Sequence, residues 1–270
     1  MKKSFLIYKK IFNKLRGSGI SRIPGIRFLT FYITKKIQPE YIEFFGNTIH
    51  LSKNDGSLNL LEDESNEVDF FKKQIKLNDT IVDIGANIGW YTMIFAKITG
   101  EHGKVFAFEP GEDNYFILQK NIVENNFKNI ISKNVAISNF NGELNLELSK
   151  TGNHKIGDNG ILIKCIKLDD YLKSEKIDFV KIDAEGHEFK ILLGMNKILE
   201  NNEKIKLKIE FYYKLIKESG DEPEELLNFL IKHKFCLYDL RSENKRVTKN
   251  ELLKKYSKNI GATDIFCVRE

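Results

Sequence analysis

Only three cysteines occur among 270 residues, at positions 165, 236 and 267, and none forms a C-x-x-C pair. That spacing excludes a disulfide framework and a zinc ribbon, and predicts three thiols in a reducing compartment. Proline occurs four times and tryptophan once. Long apolar runs are missing too. Nothing approaches the roughly 20 apolar residues that span a bilayer, and Lys9-Lys10 interrupt the first apolar stretch, so no secretory signal is expected. The sequence therefore predicts a soluble cytoplasmic protein. Arginine is rare, 6 against 37 lysines. This disfavours specific nucleic-acid readout, which relies on arginine's planar fork. With 41% hydrophobic and 30% charged residues, the chain has a globular composition.

One sign of charge is absent from the start of the chain. Residues 1–39 carry ten Lys/Arg and no Asp or Glu, leaving 33 basic against 38 acidic side chains for the rest. Residues 4–15 place Phe5, Tyr8, Phe12 and Leu15 at helical spacing among lysines, which predicts an amphipathic helix suited to an anionic membrane surface. The division expected is a basic arm and cap over residues 1–50 and one α/β domain over 51–270. Two short strands are expected around a Gly46-Asn47 turn.

From residue 80 strands and helices alternate, the pattern of βαβ units and a parallel sheet. Strands are expected at 80–84, 104–109, 130–137, 177–183, 204–211, 235–240 and 264–268. Helices are expected up to Thr99 and over 114–125, 187–199 and 222–233, with Phe116, Leu118 and Ile122 on the apolar side of the second. Asn141-Gly142 opens a hairpin with a wet face, and 151–160 reads as a mobile loop.

Two places carry the chemistry. The stretch Asp83-Ile84-Gly85-Ala86-Asn87-Ile88-Gly89 is a strand feeding a glycine turn and a helix, which offers backbone N–H groups to a ligand. Glu109 ends the next strand, where a carboxylate can accept both hydroxyls of a ribose. Asn87 stands where the dinucleotide fingerprint needs its second glycine, so an adenosine-type ligand other than NAD is expected. The second place is Asp183-Ala184-Glu185-Gly186-His187. Asp183 ends a buried strand, beyond which ligands of open α/β sheets sit. Glu185 points the same way if the strand continues, and Gly186 permits close approach. Asp183 is expected to orient or deprotonate an acceptor, with Glu185 in a positioning role; the competing reading makes Asp183 a helix cap. The spacing of Asp183, Glu185 and His187 matches no standard ligand pattern, so no metal is expected. Glu210, inside a strand, and His154, in the loop, are further acceptor-side candidates. Asp169-Asp170 read as the cap of the helix they begin.

Taken in order, 82–89 with Trp90-Tyr91-Thr92, then 105–110, then 181–188 resemble the FkbM family of S-adenosylmethionine-dependent methyltransferases, over roughly residues 68–240. The resemblance implies a class I methyltransferase fold: a seven-stranded, mostly parallel sheet with an antiparallel final strand and helices on both faces. It implies S-adenosylmethionine as cofactor and O-methylation of a sugar hydroxyl or another small or glycan-linked acceptor. Asp83, Gly85, Ala86, Asn87 and Gly89 would hold the methionine end, and Glu109 and Pro110 the ribose. Asn134, Val135 and Ala136 would border the adenine. A nucleic-acid methyltransferase and a non-catalytic cofactor-binding scaffold are the alternatives.

Overall fold

The computed structural model describes residues 39–52, 64–149, 153–242, 244–258 and 261–270. The expected helix over residues 4–15, and the arm to residue 38, lie outside the described residues. No helix among the described residues is long and apolar enough to cross a membrane.

The apolar runs become the central strands because a parallel sheet is buried on both faces. β1 (Tyr41–Phe44) and β2 (Asn47–His50) form a small antiparallel hairpin, turning at Phe45-Gly46. Helix α1 (Glu64–Gln74) precedes β3 (Thr80–Ile84), α2 (Trp90–Thr99), β4 (Lys104–Phe108), α3 (Glu112–Glu124) and β5 (Ile130–Lys133). Next come β6 (Ala136–Ile137), β7 (Gly142–Glu147), β8 (Lys155–Ile156), β9 (Ile161–Ile166) and α4 (Leu168–Tyr171). β10 (Phe179–Ile182), α5 (Glu188–Leu193), α6 (Asn196–Asn201), β11 (Lys206–Phe211), α7 (Tyr213–Glu218) and α8 (Pro223–Lys232) follow. The chain closes with β12 (Cys236–Asp239), β13 (Lys245–Val247), α9 (Lys249–Tyr256) and β14 (Thr263–Val268).

The main sheet has the order β13-β12-β14-β11-β10-β3-β4-β5. The five strands from β5 to β11 run parallel, and β14 is antiparallel to both its neighbours. That is the class I methyltransferase arrangement with one strand more than expected: β13 adds an eighth at the edge. From β3 the chain winds outward to β5, then returns to the other side of β3 as β10. The reversal opens a crevice at the carboxyl ends of β3 and β10. Buried apolar side chains fill both faces, one cluster around Val180, Leu207 and Leu227, the other around Phe71, Phe95 and Phe179.

Several expectations need correction. The strand expected over 130–137 breaks at Asn134-Val135, and its second half, β6, joins a separate four-stranded sheet ordered β6-β9-β7-β8. The excursion from β6 to β9 closes on itself, since Ile137 pairs with Ile166 and Ser138 N donates to Ile166 O at 3.0 Å. Part of the expected 151–160 loop is strand β8, paired with β7. The helix expected over 187–199 is two helices that meet at Gly194-Met195, where a Cβ on Gly194 would come 2.0 Å from the Ser138 carbonyl oxygen. Phe116 faces solvent, 71% exposed, whereas Leu118 is fully buried. Asp169 caps a different helix from the one it begins: its carboxylate accepts from Lys197 N and Ile198 N at the start of α6.

The hairpin β1–β2 is pinned to the body. Phe44 stacks on Trp90 with centroids 4.5 Å apart, and Asn125 bonds both the N–H and the carbonyl of Thr48 at 2.8 Å. At the far edge, Asp239 accepts from Thr263 Oγ1, Ser242 Oγ and Tyr256 Oη and pairs with Lys255. Those hydrogen bonds outweigh burial and hold its carboxyl down at about 2. Cys236 and Cys267 sit on adjacent strands one register step apart, Leu237 being opposite Cys267, so their side chains face opposite sides of the sheet.

Candidate active site

A cavity of about 270 Å³ opens at the carboxyl ends of β3, β4, β10 and β11, roofed by the second sheet through Leu146, His154 and Ile156. The glycine turn forms its floor. Gly85 has φ +73°, and a Cβ there would lie 1.8 Å from the Asp183 carbonyl oxygen, so this crossing of two strand ends admits only glycine. Asn87 also takes a left-handed φ of 50°, which asparagine tolerates better than most residues.

Glu109 ties the nucleotide half together. Its Oε2 accepts from Asn87 N at 2.8 Å, and its Oε1 accepts from Gly111 N at 2.9 Å and from Asn114 Nδ2 at 3.4 Å. Burial nevertheless pushes its carboxyl up to about 7. Of the ten residues expected around the cofactor, Gly85, Ala86, Asn87, Glu109, Pro110, Val135 and Ala136 line the cavity. Three do not. Asp83 is fully buried beneath it, where its Oδ2 accepts from Thr92 Oγ1 at 2.6 Å. Gly89 packs against Leu118 and Met93. Asn134 reaches away, donating to the carbonyls of Glu109 and Pro110 at 2.9 and 3.0 Å, and so fixes the loop that carries them.

The acceptor-side candidates Asp183, Glu185, His187, Glu210 and His154 all line the same cavity. The way they arrive differs from expectation. The strand does not continue past Ile182; instead Ala184–Gly186 form a tight turn, with Glu185 at φ 50° and Gly186 at φ 103°. A glutamate held left-handed stores backbone strain, a state concentrated at ligand sites. Nor does Asp183 cap the next helix, whose N-cap is His187. Asp183 instead meets Lys181, Nζ to Oδ2 3.2 Å.

Lys181 was not singled out by the sequence reading. It is 2% exposed in the middle of β10, opposite Asp83 in register, with Nζ 3.7 Å from Asp83 Oδ1 and 5.1 Å from the centre of the Tyr91 ring. Burial alone would lower its pKa, but Asp183 and Asp83 hold it above the ordinary value. β11 repeats the pattern: Lys208, paired in register with Lys181, lies 2.8 Å from Asp264 Oδ2 and 5.5 Å from the same tyrosine ring. A lysine two positions before a carboxylate at the end of a central strand is the signal that finds both.

Burial and the neighbouring Asp183 push Glu185 up to about 7. Burial does the same to Glu188, whose Oε1 accepts from Ala184 N and Gly186 N and so clamps the turn. Glu210 is driven well above the carboxylate range by burial and by Asp183, and among the described residues its Oε2 has no hydrogen-bond partner. His187 is buried 3.0 Å from Ser138 Oγ, and burial lowers it to about 4, so the ring is neutral. His154 lies over Gly111, with Nδ1 accepting from Ser149 N at 3.0 Å.

The residues fit S-adenosylmethionine. A glycine turn without room for a Cβ would take the methionine end, and the buried Glu109 carboxyl at the cavity wall would take the ribose hydroxyls. Phe108, Val135 and Ile137 give an apolar wall for an adenine.

The strand order and this cavity define a class I methyltransferase architecture. A family model of the methyltransferase FkbM domain matches residues 83–240, and the chain belongs to that family of S-adenosylmethionine-dependent enzymes. Hexuronic acid methyltransferase AglP of Haloferax volcanii is 29% identical over 148 residues, covering 52% of this chain and 60% of that relative's own length. The solved structure of methyltransferase FkbM from Methylobacillus flagellatus is 18% identical, with a TM-score of 0.46 over 70% of this chain and 43% of that one. A SAM-dependent methyltransferase from Aquifex aeolicus is also 18% identical, with a TM-score of 0.45 over 80% and 95% of the two chains.

Proposed function

We propose that this protein transfers a methyl group from S-adenosylmethionine to a hydroxyl oxygen of a sugar, free or glycan-linked. The observation that carries the reading is the convergence of a nucleoside-binding half, Glu109 with the Gly85 turn, and a carboxylate-rich half, Asp183, Glu185 and Glu210, in one cavity. A relative named for a hexuronic acid substrate supports a sugar acceptor.

When bound, the cofactor supplies an electrophilic methyl on a cationic sulfur. The chain's own residues do the rest. Glu185, poised at about 7 and in no ion pair among the described residues, is matched to take the acceptor's proton at neutral pH. Asp183, fixed by Lys181, is better suited to orient the acceptor and balance the donor's charge. This division reverses the one expected from sequence. The acceptor O–H proton passes to Glu185, and bound S-adenosylmethionine would supply the methyl group that takes its place on oxygen. Alignment of an in-line displacement contributes alongside the base, and His154, Leu146 and Ile156 close the cavity from above. Labelled-methyl transfer to a panel of glycans, lipids and RNA tests the reading: label on glycans supports it, and label on RNA alone refutes it.

Residues 1–50 are taken as the arm and cap and 51–270 as the catalytic domain. The ten basic residues before Glu40 are assigned to an anionic membrane surface. Loss of vesicle co-sedimentation on deleting residues 1–38, with cofactor affinity unchanged, supports that assignment.

A further inference from the structure

The sequence alone puts His154 among the acceptor-side groups, yet its ring reaches the nucleotide half of the cavity. A Cβ built on Gly111 would lie 2.4 Å from His154 Cδ2, 3.1 Å from His154 Nε2 and 2.9 Å from Glu109 Oε1. The ring edge and the Glu109 carboxyl thus converge on one point above the loop that follows β4. That loop is itself fixed. Gly111 N and Asn114 Nδ2 donate to Glu109, and Asn134 Nδ2 donates to the carbonyls of Glu109 and Pro110. One residue before His154, the carboxamide of Asn153 acts instead on Glu185, holding that carboxyl lower than burial alone would. Adjacent residues of the roof therefore serve different ends of the cavity.

The backbone sets which ring nitrogen carries the hydrogen. Ser149 N donates to Nδ1 at 3.0 Å, and an N–H can donate only to a bare ring nitrogen. Burial disfavours the charged ring, so the one remaining hydrogen sits on Nε2. Among the described residues Nε2 has no hydrogen-bond partner, and the ring lines the cavity. Glu109, by contrast, is an acceptor that already collects three donors. A ribose hydroxyl has both a hydrogen to give and lone pairs to fill. Set between the two side chains, it gives its hydrogen to Glu109 and takes one from Nε2.

We propose that His154 is a cofactor-binding residue, its Nε2–H donating to the oxygen of a ribose hydroxyl whose hydrogen goes to Glu109. The excursion from β6 to β9 then carries a contact to the methyl donor itself, besides roofing the acceptor. The proposal rests on S-adenosylmethionine as the cofactor and is independent of which acceptor takes the methyl group.

Titration calorimetry on the full chain with S-adenosylhomocysteine, and no acceptor present, provides the test. His154→Leu, which keeps apolar bulk and loses the donor, should weaken binding roughly three- to tenfold, the range for one hydrogen bond. His154→Gln, whose amide nitrogen can reach the Nε2 position, should recover most of that loss. The 2′-deoxy and 3′-deoxy analogues of S-adenosylhomocysteine locate the contact. For the analogue that lacks the contacted hydroxyl, His154→Leu and the unmodified chain should bind alike. Melting curves confirm that each variant folds. A loss of the same size for S-adenosylhomocysteine and both analogues overturns the ribose contact. Unchanged affinity in folded His154→Leu overturns it too, and a raised acceptor KM in that variant would return His154 to the acceptor side. Failure of the unmodified chain to bind S-adenosylhomocysteine removes the cofactor reading itself, and this proposal with it.

Discussion

Lys181 Nζ lies 3.2 Å from Asp183 Oδ2, a contact made because residues two apart along an extended chain face the same side. Asp83 completes the group from the neighbouring strand. Removing the lysine leaves Asp83 buried beneath the cavity without its cation, with Asp183 above it at the cavity wall. Lys181→Met should therefore destabilise the protein by about 3–5 kcal/mol, the usual cost of stranding a buried charge. Urea unfolding checks it; a loss below about 1 kcal/mol would mean that water already screens the pair.

The proton-acceptor assignment separates Glu185 from Asp183. Glu185→Gln should lower kcat by roughly 10²–10⁴ and leave cofactor affinity near its original value by calorimetry. Because the base works in its ionised form, kcat should rise with pH and level off above about 7. The variant should lose that rise. Asp183→Asn should cut kcat less, but also lower the melting temperature by loosening Lys181.

Glu109→Ala should weaken S-adenosylmethionine binding by about 1–3 kcal/mol, the range for hydrogen bonds to a charged group. The same substitution frees Asn87 N and Gly111 N, which now donate to this carboxylate. Titration calorimetry with S-adenosylhomocysteine measures the change. Unaltered affinity would remove Glu109 from the ribose site.

Glu188 makes a prediction about stability and pH. Its folded pKa is raised to about 7 from an ordinary 4.5, chiefly by burial. Between those values the folded protein keeps a proton that the unfolded chain has released, so this group's contribution to stability falls as pH rises from 4.5 to 7. Glu188→Gln removes the titration while keeping an acceptor for Ala184 N and Gly186 N. Relative to the unmodified chain, the variant should gain up to about 2–3 kcal/mol across that window and stay level above it. Denaturant curves at pH 5, 6, 7 and 8 give the comparison; parallel curves at all four would contradict it.

The central strands were readable because burial on both faces makes them continuous apolar runs, as in Ile81, Val82 and Ile84. The glycine turn was readable because Gly85 answers a steric demand that no other residue meets. What escaped had a tertiary cause. The break at Asn134-Val135 lies within a run of residues that would suit one strand, and only the pairing of β6 with β9 shows that the chain changes sheets. Helix α1 went unnoticed beneath its polar composition. Helix α9 did carry a local signal, Thr248 and Glu251 in a reciprocal cap. In the site, Lys181 was overlooked because lysine reads as a solvated residue unless a carboxylate two positions away is weighed with it. Asp169 was matched to the wrong helix, since only the fold brings α6 within its reach.

The excursion between β6 and β9 starts and finishes at the same spot, where Ile137 lies opposite Ile166 and Ser138 N bonds the carbonyl of Ile166. It behaves as a cassette with a single doorway. Among the described residues, Leu146, Asn153, His154 and Ile156 line the cavity from inside it, while Gly85 and Glu109 stay on the main sheet. A different loop of any length, spliced between residues 138 and 166, would meet the same two anchoring ends. Exchange of this one continuous stretch would remake the roof of the cavity, including the contact of His154 with Gly111, while Gly85 and Glu109 keep their places on the main sheet.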